Sequence, residues 1–285
     1  MMFPYGIACA LEDLPERDPV NLRGTIEDLA EKAKKAGYDA IELQMKNPGQ
    51  YDGKHMKAVA DSLGLAFCAI ATGMEYSDNG LSLISADRSV RQRAVDRLKE
   101  HMELAKVLDC AVIVGRMRSS IPDWSQYQRY EDYFTEALLE LSDYGQRDNQ
   151  LLVVEPVMRY ICNYFNNLPE TSDYLKRLGR DNIMLHMDTH SMIIEDANLP
   201  EAIRHCADTM GYVHFSDSNR RYPGGGNIDF QSIMEALDEI GYIGYVTFEC
   251  VPWPSQMESA VRGIDYIRAL EKCIWTQRQS KLEIK

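Results

Sequence analysis

Eight short β-rich apolar runs recur along this 285-residue chain, each separated from the next by a longer segment with helical periodicity. They begin at Tyr5 (YGIAC), Tyr38 (YDAIEL), Leu65 (LAFCAIA), Ala111 (AVIVG), Leu151 (LLVVE), Ile183 (IMLHMD), Gly211 (GYVHFS) and Tyr245 (YVTFE). Segments between them, such as TIEDLAEKAKKAG, repeat apolar residues every three or four positions, with Gly37 placed as a C-terminal stop. Strands that are apolar on both faces and alternate with helices require a parallel sheet covered by helices. Eight units of roughly 36 residues suit a closed (β/α)8 TIM barrel, which needs about 250 residues. An open doubly wound sheet is the alternative, but the chain carries neither a GxGxxG after its first strand nor a GxxxxGK[ST] loop. With no composition break or linker, the expectation is a single domain over residues 1–285, with a loosely held polar tail at 276–285.

Charge narrows the partners. A net charge of −13 repels phosphate backbones and anionic membrane surfaces, so neither nucleic acid nor membrane is an expected partner. No apolar stretch reaches the roughly 20 residues that span a bilayer, and the start lacks a signal-peptide pattern, which places the protein in the cytoplasm. The seven cysteines are scattered singly, without a CxxC pair, and read as reduced thiols in or near the core.

Four of the later runs end on residues that hold divalent metals: Glu155, Asp188, His214 and Glu249, at intervals of 33, 26 and 35 residues. Each interval is close to one strand-helix unit, so all four side chains fall at the same end of the barrel, where the chemistry of this architecture resides. A lone strand-end carboxylate is ordinarily a solvated or capping group. Three beside an imidazole would repel one another unless a cation neutralised them. An oxygen-rich set suits Mn2+, with Mg2+ or Co2+ as alternatives, better than sulfur-bound structural zinc. Such an ion also holds neighbouring oxygens of a sugar and polarises a carbonyl.

The run GYDAIEL, VVEP at Glu155, MDT at Asp188, VHFSDSNRRYPGGGNIDF from Val213 to Phe230 and VTFEC at Glu249 resemble the sugar isomerase and epimerase superfamily with a xylose isomerase-like barrel. The resemblance covers nearly the whole chain. ATGMEYSDNGLSL, VIVGRMRS and ECVPWPSQMESA are most similar to its ketose 3-epimerase branch, including epimerases of the 5-keto-L-gluconate type. The resemblance implies that Glu155, Asp188, His214 and Glu249 bind the metal. It also implies that Glu155 and Glu249 act on opposite faces of C3 of a ketose or keto-sugar acid, one removing a proton to give a cis-enediolate and the other returning it. Arg220, six residues after His214, would contact the substrate near O2, and Arg118 matches a basic position that would suit a substrate anion. A homo-oligomer, dimer or tetramer, is also implied.

Two positions depart from the branch. Where its members have a histidine three residues after the aspartate, this chain has Ser191, with His190 one place earlier as a substitute donor. Where they have a second glutamate six residues after the first ligand, it has Ile161. The expectation is therefore a site whose grip on the C1 end of the substrate has changed. An aldose-ketose isomerase and an inosose- or dehydroshikimate-type dehydratase are the alternative reactions for the same metal and glutamates. An apurinic endonuclease would need more histidines and a basic face than this chain offers. Among other histidines, His186 is expected inside the barrel, and His55, His101 and His205 on solvated helices. Trp124, Tyr222 and Trp253 fall in loops at the mouth, either to stack on a sugar or to close the barrel end.

Overall fold

The computed structural model describes residues 2–283, side chains 278 and 280–283 excepted. Nine parallel strands alternate with ten α-helices among these residues. The strands are β1 (Tyr5–Ala10), β2 (Leu22–Arg23), β3 (Ala40–Gln44), β4 (Ala66–Ala71), β5 (Ala111–Val114), β6 (Leu152–Val154), β7 (Ile183–Asp188), β8 (Met210–Phe215) and β9 (Val246–Phe248). The helices are α1 (Ile26–Ala36), α2 (Gly53–Ser62), α3 (Gly73–Asn79), α4 (Arg88–Leu108), α5 (Tyr127–Gly145), α6 (Leu168–Leu178), α7 (Thr189–Glu195), α8 (Leu199–His205), α9 (Phe230–Glu239) and α10 (Gln256–Glu283).

Pairing of β1 with β9 closes an eight-stranded ring, and the two-residue β2 pairs with the end of β1. The ring contains the eight runs read from the sequence; the open-sheet alternative is thereby excluded. Closure leaves two cores. The larger lies between strands and helices, while Ala40, Cys68, Ala69, Ile113, Val153 and Tyr212 belong to a smaller cluster inside the barrel. Helix ends follow local chemistry: the Thr25 hydroxyl accepts from the Asp28 N–H at the start of α1, and Gly37 stops it at φ 93°, where its N–H donates to Ala33 and Lys34.

Register sets the site. Asp188 stands opposite His214, and His214 opposite Thr247. Glu155 and Glu249 each follow directly on their strands, donating their N–H groups to Val114 and Phe215. Thr276 to Glu283 of the expected polar tail continue α10, and residues 284 and 285 lie outside the described residues. Two further expectations are corrected. His101 is fully buried, because Glu75 on α3 receives its ring nitrogen at 3.1 Å, whereas His55 and His205 are exposed. Cys273 is exposed on α10, unlike the buried Cys9, Cys68, Cys162, Cys206 and Cys250.

Candidate active site

Glu155, Asp188, His214 and Glu249 arrive together at the C-terminal mouth, held by contacts from every side. Asp188 caps α7, accepting from the His190 N–H at 3.0 Å and from the Ser191 hydroxyl at 3.2 Å. Glu249 accepts from the Gln44 amide at 2.5 Å and lies 3.6 Å from His214 Nδ1. Glu155 sits against Gly115, where an added Cβ would stand 2.4 Å from its carboxylate oxygen and would displace that carboxylate. Between Asp188 and Glu249 lies the guanidinium of Arg220, paired with both.

A built loop carries that arginine. Buried Asp217 accepts from the N–H groups of Ser218, Gly224 and Ile228 at 2.8–3.0 Å. The turn it ties holds Arg220 at φ 61°, and the Arg220 carbonyl accepts from the Val251 N–H at 2.8 Å. A left-handed arginine costs on the order of 1 kcal/mol, sustained here because surrounding bonds fix the turn.

Electrostatics divide the four ligand candidates. Loss of hydration, with the Asp188 charge adding to it, pushes the Glu155 carboxyl from 4.5 to about 7. Burial pulls Asp188 the same way, but Arg220 and His214 outweigh it and hold Asp188 below its ordinary value. Burial would lower His214, yet Glu42, 2.6 Å from its Nε2, raises it. His186 is buried with both ring nitrogens unpartnered and stands edge-on to His214 at 4.1 Å between ring centres. One donor atom each from Glu155, His186 and His214 fit within 4.8 Å of one another, as do those of Glu42, His214 and Glu249. The cluster is a candidate metal site.

Other expected substrate contacts are placed differently. Arg118 is fully buried, its guanidinium donates to the carbonyls of Tyr164 and Phe165 at 2.8 and 3.1 Å, and its charge acts on Glu155. His190 stands beside Asp188, but its Nδ1 faces the Asp217 carbonyl at 3.2 Å. Ile161 is 41% exposed on the long loop after β6. Trp253 lies under Arg221 at 3.6 Å and Trp124 stacks on Tyr127, so both aromatic rings already have neighbours at the mouth. Sequence reasoning missed Glu42, Gln44 and Gly115. The one available signal was a charged residue within the otherwise apolar run AIEL.

Comparison with known proteins agrees with this architecture. Residues 30–270 match the family described as xylose isomerase-like TIM barrel. The chain belongs to that family. Among its relatives are an L-ribulose 3-epimerase from Mesorhizobium japonicum, 35% identical over 76% of this chain and 72% of the relative. A ketose 3-epimerase from Arthrobacter globiformis is 30% identical over 77% and 75%. A solved L-ribulose 3-epimerase structure superposes with a TM-score of 0.81 at 27% identity, covering 98% of this chain and 97% of that one.

Proposed function

We propose that the protein is a divalent-metal-dependent carbohydrate epimerase that inverts C3 of a ketose or keto-sugar acid. The observation that carries this reading is a pair of carboxylates, Glu155 and Glu249, flanking Asp188 and His214 in opposite electrostatic settings. Relatives named as 3-epimerases support it.

The donors fit a cation. His214 Nδ1 is buried and unpartnered, and His214 shares two groups of three donors within 4.8 Å, one with Glu155 and His186 and one with Glu42 and Glu249. Glu155, Asp188, His214 and Glu249 would hold the metal, with Mn2+ preferred and Mg2+ or Co2+ as alternatives. Bound there, it would act as a Lewis acid on the substrate carbonyl and acidify the neighbouring C–H.

The chain's own groups supply the rest. Burial raises the Glu155 carboxyl in the metal-free site, and a carboxyl placed there is suited to exchange a proton with the substrate carbon. Glu249, oriented by Gln44, serves the opposite face of the same carbon. Two carboxyls in unlike environments provide the base and the acid, and inversion follows when removal and return use opposite faces. Arg220, paired with both Asp188 and Glu249, is placed to donate to a substrate oxygen.

Incubating metal-loaded protein with ketoses, keto acids and ketose phosphates in deuterium oxide tests the reading by NMR. An epimeric product carrying deuterium at C3 is expected. An aldose or an unsaturated product would replace the reading with an isomerase or a dehydratase.

A further inference from the structure

A further carboxylate, outside the four ligand candidates, is buried inside the barrel beneath the mouth. Glu42 lies on β3, across the ring from β8, and is 0% exposed. Its strand breaks register with β4 between Ile41 and Glu42, an irregularity of the kind that re-aims a side chain. Glu42 Oε2 lies 2.6 Å from His214 Nε2 and accepts from the Tyr212 hydroxyl at 2.8 Å. That hydroxyl also meets Thr247 Oγ1 at 2.7 Å, so the carboxylate is held from below. The other imidazole nitrogen, Nδ1, is buried without a partner, and Glu249 Oε2 lies 3.6 Å from it.

We propose that Glu42 is a positioning residue that fixes the tautomer and ring orientation of His214, so that the Nδ1 lone pair faces the cation position. This rests on the metal-dependent reading above. A neutral imidazole has one N–H and one lone pair. Glu42 Oε2 already accepts from the Tyr212 hydroxyl, and its 2.6 Å contact with Nε2 completes its role as an acceptor when the imidazole hydrogen is on Nε2. The lone pair is then left on Nδ1, on the side of Glu249. Carboxylate support of this kind orients a metal-binding histidine and raises its strength as a donor. Tyr212 contributes by holding Glu42 in place, and the His186 ring packed edge-on limits rotation of His214.

The test begins with the full-length wild type stripped of metal by chelator and labelled with 15N-histidine. Above the imidazole titration, long-range 15N–1H spectra are expected to place the His214 hydrogen on Nε2. A hydrogen on Nδ1 overturns the proposal without any variant being made. Glu42→Gln, which can donate as well as accept, is expected to lose the tautomer preference and to weaken Mn2+ binding by calorimetry roughly 10- to 100-fold. Glu42→Asp, which preserves the acceptor, is expected to retain the tautomer and to bind more tightly than Glu42→Gln. Unchanged tautomer and unchanged Mn2+ affinity in Glu42→Gln overturn the role assigned to Glu42. A wild type that binds none of Mn2+, Mg2+ or Co2+ instead defeats the metal-dependent reading, and the tautomer spectrum still reports separately on the Glu42 contact.

Discussion

Burial lifts the Glu155 carboxyl to about 7 while an amide and a guanidinium clamp Glu249, so two residues of the same chemistry stand in different surroundings. Replacing either by its amide keeps shape and removes proton transfer. Glu155→Gln and Glu249→Gln are each expected to lower kcat by about 100-fold or more, with C3 deuterium exchange lost in parallel, as measured by NMR. Equal turnover in either variant would remove that residue from the proton path. Ser191 and Ile161 bear on a different step. Ser191 spends its hydroxyl on Asp188, and Ile161 offers no polar atom from its side chain. If these positions face the C1 end of the substrate, product analysis across substrates differing at C1 is expected to show a preference that follows that end.

At the scale of elements, the loop after β8 and the start of α7 carry the fine geometry. Asp217 ties three N–H groups, and a Cβ on Gly226 would stand 2.3 Å from its carboxylate oxygen. Asp217→Ala leaves those buried donors unsatisfied and is expected to cost about 2 to 3 kcal/mol in urea unfolding, with Arg220 losing its left-handed turn. Asp196, where α7 ends, accepts weakly from the Leu168 N–H, and burial with the Glu195 charge pushes its carboxyl to about 6. A carboxyl raised in the folded state contributes stability below its ordinary 3.8 and loses it as pH rises through about 6. Asp196→Asn is therefore expected to exceed the wild type in stability above pH 6 by on the order of 1 kcal/mol, after allowance for partial solvation. The gap should close below about pH 4 in melts across that range; a constant gap would show that Asp196 does not titrate as described.

For the molecule as a whole, a cation that binds only the folded barrel raises its stability. At about 100 times the dissociation constant, the gain is about 2.7 kcal/mol, or roughly 5–10 °C in melting temperature for a domain of this size. Calorimetry with and without Mn2+ measures it, and an unshifted melt argues against a metal site. Tyr160, Ile161, Ile193 and Ile194 are exposed on two segments joined by the Arg159–Glu195 ion pair.

The chain's periodicity by itself determined the barrel and the four strand-end ligand candidates, because parallel strands are buried on both faces and their last residues all emerge at one end. Helix stops such as Gly37 were legible for the same reason: their cause lies within a few residues. Only the closed structure decided what those ligands touch. Glu42 is 172 residues from His214, and Gln44 is 205 from Glu249, so each pair meets only after β1 joins β9 and the β3–β4 irregularity sets the register. His101 looks like a solvated residue and Arg118 like a substrate cation until folding buries them against the Glu75 carboxylate and the Tyr164 and Phe165 carbonyls. Local spacing fixes where a side chain leaves its strand, whereas hydrogen-bond partners across a barrel depend on closure, register and burial, which no short segment encodes.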